Sequence, residues 1–200
     1  MKGSLITLGF FVVGCLAGPF VGSHPFGEDV NLSFYALCGL MACVGFGLGN
    51  EPGMLKKFRR LDFRMALLPV ATIAGTLCGA AFAVVLLPHL LLFDILAIGS
   101  GFGYYSLSSI FITEYRGAAL GTTALLSNVI REVLTLLLAP LLARFFGRLA
   151  PVSAGGATSM DTTLPVITRS VGAELVPVSV YHGVVVDFSV PFLVTFFCML

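Results

Sequence analysis

Long apolar runs separated by short polar stretches make up most of this chain. A helix that spans a bilayer needs about 20 mainly apolar residues. Six runs come near or exceed that length, namely residues 4–21, 32–49, 65–88, 92–112, 119–143 and 177–199. The pattern predicts an all-α integral membrane protein with about six or seven transmembrane helices.

The composition indicates the same class of protein. Hydrophobic residues make up 58% of the 200 residues and charged residues 10%, whereas a soluble domain carries about 25% charged residues. The mean hydropathy is +1.02. A net charge of +1 gives no sign of nucleic-acid binding. The five cysteines lie in apolar runs without a CxxC pair, which favours packing roles over a disulfide or a metal site.

The loop "NEPGMLKKFRRLDFR" (50–64) carries five basic residues against two acidic ones. Short basic loops face the cytoplasm, so this loop is predicted to be cytoplasmic, as is the N-terminus. Simple alternation then places "ARFFGR" (143–148) outside, despite its two arginines. Either the charge rule fails locally, or a preceding segment enters the membrane and returns without crossing.

Two stretches are atypical of continuous helices. One contains the glycine cluster of "IGSGFGYYSLSS" (98–109), and the other is "GGATSMDTTLP" (155–165). Glycine costs about 1 kcal/mol relative to alanine inside a helix, so discontinuous segments are predicted near 99–110 and 153–166. Broken backbone at membrane depth must be buried or line a cavity, and it is typical of transporter binding sites. Tyr104 and Ser106 follow the first cluster and are candidate site residues.

These stretches also predict an internal repeat. "SLSSIFIT" (106–113) is similar in texture to "SMDTTLPVIT" (159–168). A comparable offset separates "APLLARFF" (139–146) from "VPFLVTFF" (190–197). Each half would contain a broken segment followed by a long helix with a proline near its end.

Ionisable side chains inside apolar runs are costly and indicate function. Arg131 and Glu132 are adjacent and point about 100° apart on a helix. Asn128 shares a face with Glu132, and Ser127 shares one with Arg131. All except Ser127 are candidate binding residues. The alternative is a structural ion-pair network with another helix.

Asp161 lies in the second broken stretch, among the hydroxyl groups of Ser159, Thr162 and Thr163. A carboxylate beside free backbone groups can hold a cation or a proton. The alternative is a structural role as a helix N-cap.

Two ionisable residues occur in the last apolar run. His182 could relay protons near neutral pH, but a lone histidine on an apolar helix is more often a packing residue. Asp187 lies five residues further on and receives no role.

Patterns for catalysis are missing. The sequence has no HExxH, GxSxG or CxxC motif, and Gly99-x-Gly101-x-Gly103 does not match a dinucleotide fingerprint. The sequence therefore predicts a protein that is not an enzyme and that uses no metal or organic cofactor.

Four segments resemble the bacterial lysine exporter family, a DUF340 membrane family: "SGFGYYSLSSI", "NVIREVL", "GGATSMDTTLPVI" and "VYHG" followed by "VP". The resemblance runs from about residue 4 to the C-terminus and is strongest over 99–191. It implies a multi-pass transporter in the inner membrane. Such a protein exports L-lysine and analogues such as thialysine, with a proton as the coupling ion.

The family's intramembrane acidic residues fall by motif on Glu132 and Asp161. The lysine α-carboxylate would need donors, which Arg131 or a half-helix N-terminus could provide.

The resemblance also shows a departure, since full-length members carry additional N-terminal helices. Residues 1–200 are therefore expected to form a single transporter domain, the large subunit of a split form. A small membrane subunit, a homo-oligomer or both would complete it. Two alternatives stay open: a proton- or sodium-coupled carrier of another small solute, and a non-transporting scaffold subunit.

Overall fold

The computed structural model describes residues 63–200, with only the backbone at Arg64, and all regular structure in this range is helical. The helices are α1 Phe63–Ala66, α2 Leu68–Ala83, α3 Leu92–Gly99, α4 Tyr105–Arg116, α5 Ala118–Phe146, α6 Ala150–Gly155, α7 Leu164–Val171 and α8 Val176–Met199. Two 3₁₀ helices span Gly156–Met160 and Ala173–Leu175. The predicted spans 4–21 and 32–49 and nearly all of the basic loop lie outside the described residues.

Two helical stretches, Ala118–Phe146 and Ala173–Met199, are long and apolar enough to cross a bilayer. The 29 residues of α5 extend about 44 Å. Helix α2 is apolar but shorter, with 16 residues. These helices are consistent with the predicted helical membrane protein, whereas six or seven crossings remain a prediction.

The predicted crossing over 92–112 is wrong, because this segment is a helical hairpin. Helices α3 and α4 are separated by a turn at 100–104. Their outer ends meet, since Arg116 Nη1 at the end of α4 lies 3.7 Å from Asp94 Oδ1 in the first turn of α3. The chain thus enters and returns at the same end of the fold. We call residues 92–116 hairpin 1.

The second broken segment also folds back on itself. It consists of α6, the 3₁₀ helix Gly156–Met160 and α7. Arg148, just before α6, donates to the Val171 carbonyl at the end of α7 and pairs with Glu174. We call residues 150–171 hairpin 2. Hairpin 1 has its base at the N-terminal end of α5 and hairpin 2 at its C-terminal end, so they approach from opposite ends.

The two hairpins meet at their tips. The Ala157 N–H donates to the Phe102 carbonyl over 3.0 Å. The contact requires glycine at position 156, where φ is +60° and a Cβ atom would lie 2.2 Å from Phe102 O. The glycine-rich stretches thus contain breaks inside both predicted intervals, and the breaks contact each other.

The same order of elements occurs twice along the described chain. Each hairpin ends at a glycine with positive φ, Gly117 at +93° and Gly172 at +97°. A long helix with an internal proline follows in both cases, with Pro140 in α5 and Pro191 in α8. The order matches the predicted halves, and the internal sequence repeat itself stays a prediction.

We expect Gly156→Ala to destabilise the protein strongly. Non-glycine residues in such backbone conformations cost about 1–3 kcal/mol, and the added methyl group would also collide with Phe102 O. The melting temperature in detergent should fall clearly. Gly75→Ala in α2 is the matched control, since a Cβ there meets nothing within 4 Å. An unchanged melting temperature for Gly156→Ala would contradict the tip contact.

Candidate functional site

Asn128 in α5 holds the tip of hairpin 1. Its Oδ1 accepts a hydrogen bond from the Gly103 N–H at 2.7 Å, and its Nδ2 donates to the Ile98 carbonyl at 3.3 Å. The side chain is buried, and Nδ2 also donates to Ala124 O. Asn128 therefore provides the acceptor for the Gly103 N–H in the break and a further donor for the Ile98 carbonyl, which also accepts from the Gly101 N–H.

Arg131, one turn further along α5, holds hairpin 2 in the same way. Its Nε donates to Ala154 O at 3.0 Å and its Nη2 to Ser153 O at 3.1 Å, while Nη1 donates to Thr76 Oγ1 at 3.3 Å. A cation at the C-terminal end of α6 is also favoured by the helix dipole. All three guanidinium nitrogens are thus engaged by protein groups. Neither ion pair of the described residues includes Arg131, so within residues 63–200 carbonyl and hydroxyl groups hold its guanidinium group, and the ion-pair alternative stays a prediction.

Ser159 and His182 belong to a buried network of hydroxyl groups. His182 Nδ1 lies 3.0 Å from Ser159 Oγ, and Nε2 lies 2.9 Å from Thr72 Oγ1. Thr72 Oγ1 donates to Ser153 Oγ at 3.0 Å. His182 and Ser159 are completely buried. The network connects α2, hairpin 2 and α8, and these two predicted site residues are internal to it.

Asp161 stands at the exposed edge of hairpin 2. The Thr162 N–H donates to its carboxylate, and both residues are exposed. The N-cap of α7 is Thr163, with no side-chain cap, so the N-cap alternative for Asp161 is wrong. Instead Thr163 Oγ1 donates to Thr158 O at 2.9 Å and stabilises the turn from inside.

Glu132 and Asp187 join Asp161 in what we call the acidic cluster. Glu132 lies beside the Thr162 side chain and is close enough to Asp161 for their charges to interact. Asp187 interacts with Asp161 in the same way. Sequence reasoning gave Asp187 no role. Asp187 lies near the other two carboxylates because α8 packs closely on hairpin 2 one turn earlier, at Gly183. The sequence signal that could have identified Asp187 is an acidic residue deep in an apolar helix.

The acidic cluster has no counter-ion among residues 63–200. The ion pairs in this part of the chain join Arg116 to Asp94 and Arg148 to Glu174. The same residues contain no group of three or more His, Cys, Asp or Glu side chains that could hold a metal ion. The cluster thus presents negative charge without a cationic partner from the described residues.

Two tyrosines of hairpin 1 border this cluster. Tyr104 lies near Asp187 and Asp161, and Tyr105 lies near Glu132 and Asp161. The Tyr104 hydroxyl is buried beside Ser106 without a hydrogen bond of acceptable geometry. Helix α4 begins here without a side-chain cap. Its first amide groups therefore have no side-chain cap as a partner.

The nine predicted site residues thus fall into two groups. Those at or beside the acidic cluster are Asp161, Glu132, Thr162, Tyr104 and Ser106. Those that hold the hairpins in place are Asn128, Arg131, Ser159 and His182. Binding by any of them stays a prediction.

Membrane-length helices combined with hairpins that meet at their tips are typical of membrane transporters. The family model for the lysine exporter LysO matches residues 8–198, and the chain belongs to this family.

Two curated proteins are similar to the chain. The lysine exporter LysO of Escherichia coli is 36% identical over 194 residues, which are 97% of this chain and 64% of that protein. A "Putative lysine exporter" of Haemophilus influenzae is 33% identical over 165 residues, 82% of this chain and 83% of that protein. The chain thus spans slightly less than two thirds of the E. coli protein. No solved structure matches.

We expect Arg131→Lys to lower the melting temperature in detergent. A lysine ammonium cannot reproduce the planar, three-nitrogen contact, and each lost hydrogen bond to a charged group costs about 1.5–3 kcal/mol. Arg144→Lys is the control, because Arg144 is exposed on the same helix. Equal melting temperatures for the two variants would show that Arg131 does not hold hairpin 2.

Proposed function

We propose that this chain forms the membrane-embedded core of a secondary transporter that exports L-lysine from the cytoplasm. The observation that carries the proposal is the acidic cluster, which lies where two broken hairpins meet and has no counter-ion among the described residues. Membership of the lysine exporter family supports the substrate. Lysine carries two ammonium groups and one carboxylate, so a site rich in carboxylates suits its charge.

The acidic cluster would bind the ammonium groups. Glu132 and Asp161 belong to different elements, α5 and hairpin 2, so a bound cation would connect a fixed helix with a broken segment. Asp187 adds a third carboxylate from α8. Charged groups at membrane depth need partners, and the cation would provide one. Thialysine, which has the same charged groups, would fit the same site.

The lysine carboxylate would lie at the start of α4. The free amide groups of that helix end favour an anion, and the Tyr104 and Ser106 hydroxyl groups stand beside them. Arg131, the other donor considered from the sequence, is engaged by Ser153, Ala154 and Thr76. The helix terminus is therefore the better donor.

The hairpins would supply access from the two sides of the membrane. With the basic loop 50–64 in the cytoplasm, α2 leads outward, hairpin 1 enters from outside and α5 leads back. Hairpin 2 then enters from the cytoplasm, and α8 ends outside. This arrangement places Arg144 and Arg148 in the cytoplasm, as positive charge favours. With 4–21 and 32–49, the chain would have five crossings and two re-entrant hairpins.

A proton would be the coupling ion, and the protein would lie in the inner membrane. A carboxylate of the acidic cluster can hold either a proton or an ammonium group, so the two would compete and exchange. We also propose that a small membrane subunit or a second copy of the chain completes the transporter. Each transport assay is therefore run with the chain alone and with the small subunit added.

We expect Glu132→Gln and Asp161→Asn each to reduce lysine transport in proteoliposomes. Loss of a charged partner is worth about 1.5–3 kcal/mol, which is roughly 10- to 100-fold. Glu114→Gln is the control, since Glu114 is exposed in hairpin 1. Wild-type flux in either cluster variant would remove that residue from the site. A wild type that never transports lysine would favour another solute or a scaffold role.

We expect an imposed pH gradient to drive lysine movement in the same proteoliposomes. Lysine should leave the compartment into which it is loaded when the opposite side is made acidic, because inward protons exchange for outward lysine. A sodium gradient at constant pH is the matched control. Flux that follows sodium and ignores pH would overturn proton coupling while leaving lysine export intact.

A further inference from the structure

We propose that His182 is a positioning residue for Asp161, acting through Ser159. The inference rests on the proposed function, since Asp161 belongs to the proposed lysine site. His182 itself does not face the acidic cluster. Both of its ring nitrogens lie against hydroxyl groups, of Ser159 on one side and of Thr72 on the other.

Helix α8 is bonded directly to hairpin 2 at Ser159. His182 Nδ1 contacts Ser159 Oγ, two residues before Asp161. Ser179 Oγ donates to Ser159 O at 2.9 Å, and Ser159 Oγ lies 3.0 Å from Ser179 O. Backbone and side chain of Ser159 are therefore both fixed to α8.

The backbone next to Asp161 is fixed by close packing as well. A Cβ atom at Gly183 would lie 2.6 Å from Met160 Cβ and 2.8 Å from Met160 N. Only a glycine lets α8 approach hairpin 2 this closely. Asp161 directly follows Met160 and is the first exposed residue after the buried 3₁₀ helix. Its carboxylate therefore lies at the end of a segment that is held in place by α8.

The other ring nitrogen of His182 contacts a different helix. Nε2 contacts Thr72 in α2, and Thr72 continues to Ser153 in α6. The two contacts of one imidazole can therefore be removed separately. The Nδ1 contact positions the turn that leads to Asp161, whereas the Nε2 contact connects α6 of that hairpin to α2 through Thr72.

Two amide substitutions separate these contacts. The side-chain amide of His182→Asn reaches the position of Nδ1, and that of His182→Gln reaches the position of Nε2. A side-chain amide can donate or accept a hydrogen bond. Both variants therefore test which position of the His182 ring needs a polar atom, and they do not depend on the tautomer of the imidazole. Ser159→Ala removes the Nδ1 partner together with the contacts of Ser159 Oγ to Gly156 O and Ser179 O. Thr72→Val removes the Nε2 partner and the bond to Ser153 Oγ with little change in shape.

The measurement is the half-saturation concentration for lysine and the maximal rate in proteoliposomes, together with the melting temperature in detergent. We expect His182→Gln and Ser159→Ala to raise the half-saturation concentration about tenfold, because a displaced carboxylate loses binding energy of one hydrogen bond to a charged group. His182→Asn should stay within about twofold of wild type. Thr72→Val should lower the melting temperature without changing the half-saturation concentration.

A second measurement does not depend on lysine. Thr162→Cys places a thiol beside Asp161, and its reaction rate with a water-soluble maleimide is taken as the excess over the chain without that cysteine. The rate should change several-fold with His182→Gln and stay the same with His182→Asn. If wild type does not transport lysine, the proposed function fails, and this labelling alone decides the positioning role.

Three results would overturn the inference. The Asn and Gln variants could lose affinity equally, which would indicate an undivided structural role. Ser159→Ala could bind lysine normally while both His182 variants lose transport, which would indicate chemistry at the imidazole itself. Labelling at position 162 could be unchanged in every variant, which would show that the clamp does not extend to Asp161.

Discussion

Two polar side chains on one turn of α5 make the rest of this structure possible. A backbone that breaks inside a membrane must find partners for its open amide and carbonyl groups, because lipid offers none. Asn128 supplies them to hairpin 1, and Arg131 supplies them to hairpin 2. The unbroken helix therefore serves as the frame on which both broken segments are assembled. These contacts help to keep the tips of hairpins 1 and 2 together near the acidic cluster.

The polar residues of the described chain differ in whether protein groups already occupy them, and this difference decides which ones are available for a ligand. Asn128, Arg131, Ser159 and His182 are occupied by protein groups and keep the hairpins in place. Glu132, Asp161 and Asp187 have no cationic partner among the described residues. Polar groups that are engaged by the protein thus lie around a small set of carboxylates without such partners, which is the arrangement expected where a binding site must be held rigidly on irregular backbone.

The sequence was sufficient for the membrane class, the long helices and the positions of both breaks, because these depend on local hydropathy and on glycine. It could not show that each broken segment returns to its own side, since that depends on Arg116 meeting Asp94 and on Arg148 meeting Glu174, contacts between residues 22 and 26 positions apart. The contacts of Arg131 and the proximity of Asp187 to Asp161 were missed for a related reason. The first depends on carbonyls of a distant helix, and the second on the close approach of α8 at Gly183.

The single backbone bond between Ala157 and Phe102 has a consequence for the membrane voltage. In the proposed topology it marks the level at which hairpins from the two sides of the membrane end, so a transported charge would pass there from one side to the other. Moving one charge through 100 mV is worth about 2.3 kcal/mol, and an inside-negative voltage opposes the exit of a cation. An exchange of one lysine cation for one proton across this contact would move no net charge. Export would then proceed without working against the voltage.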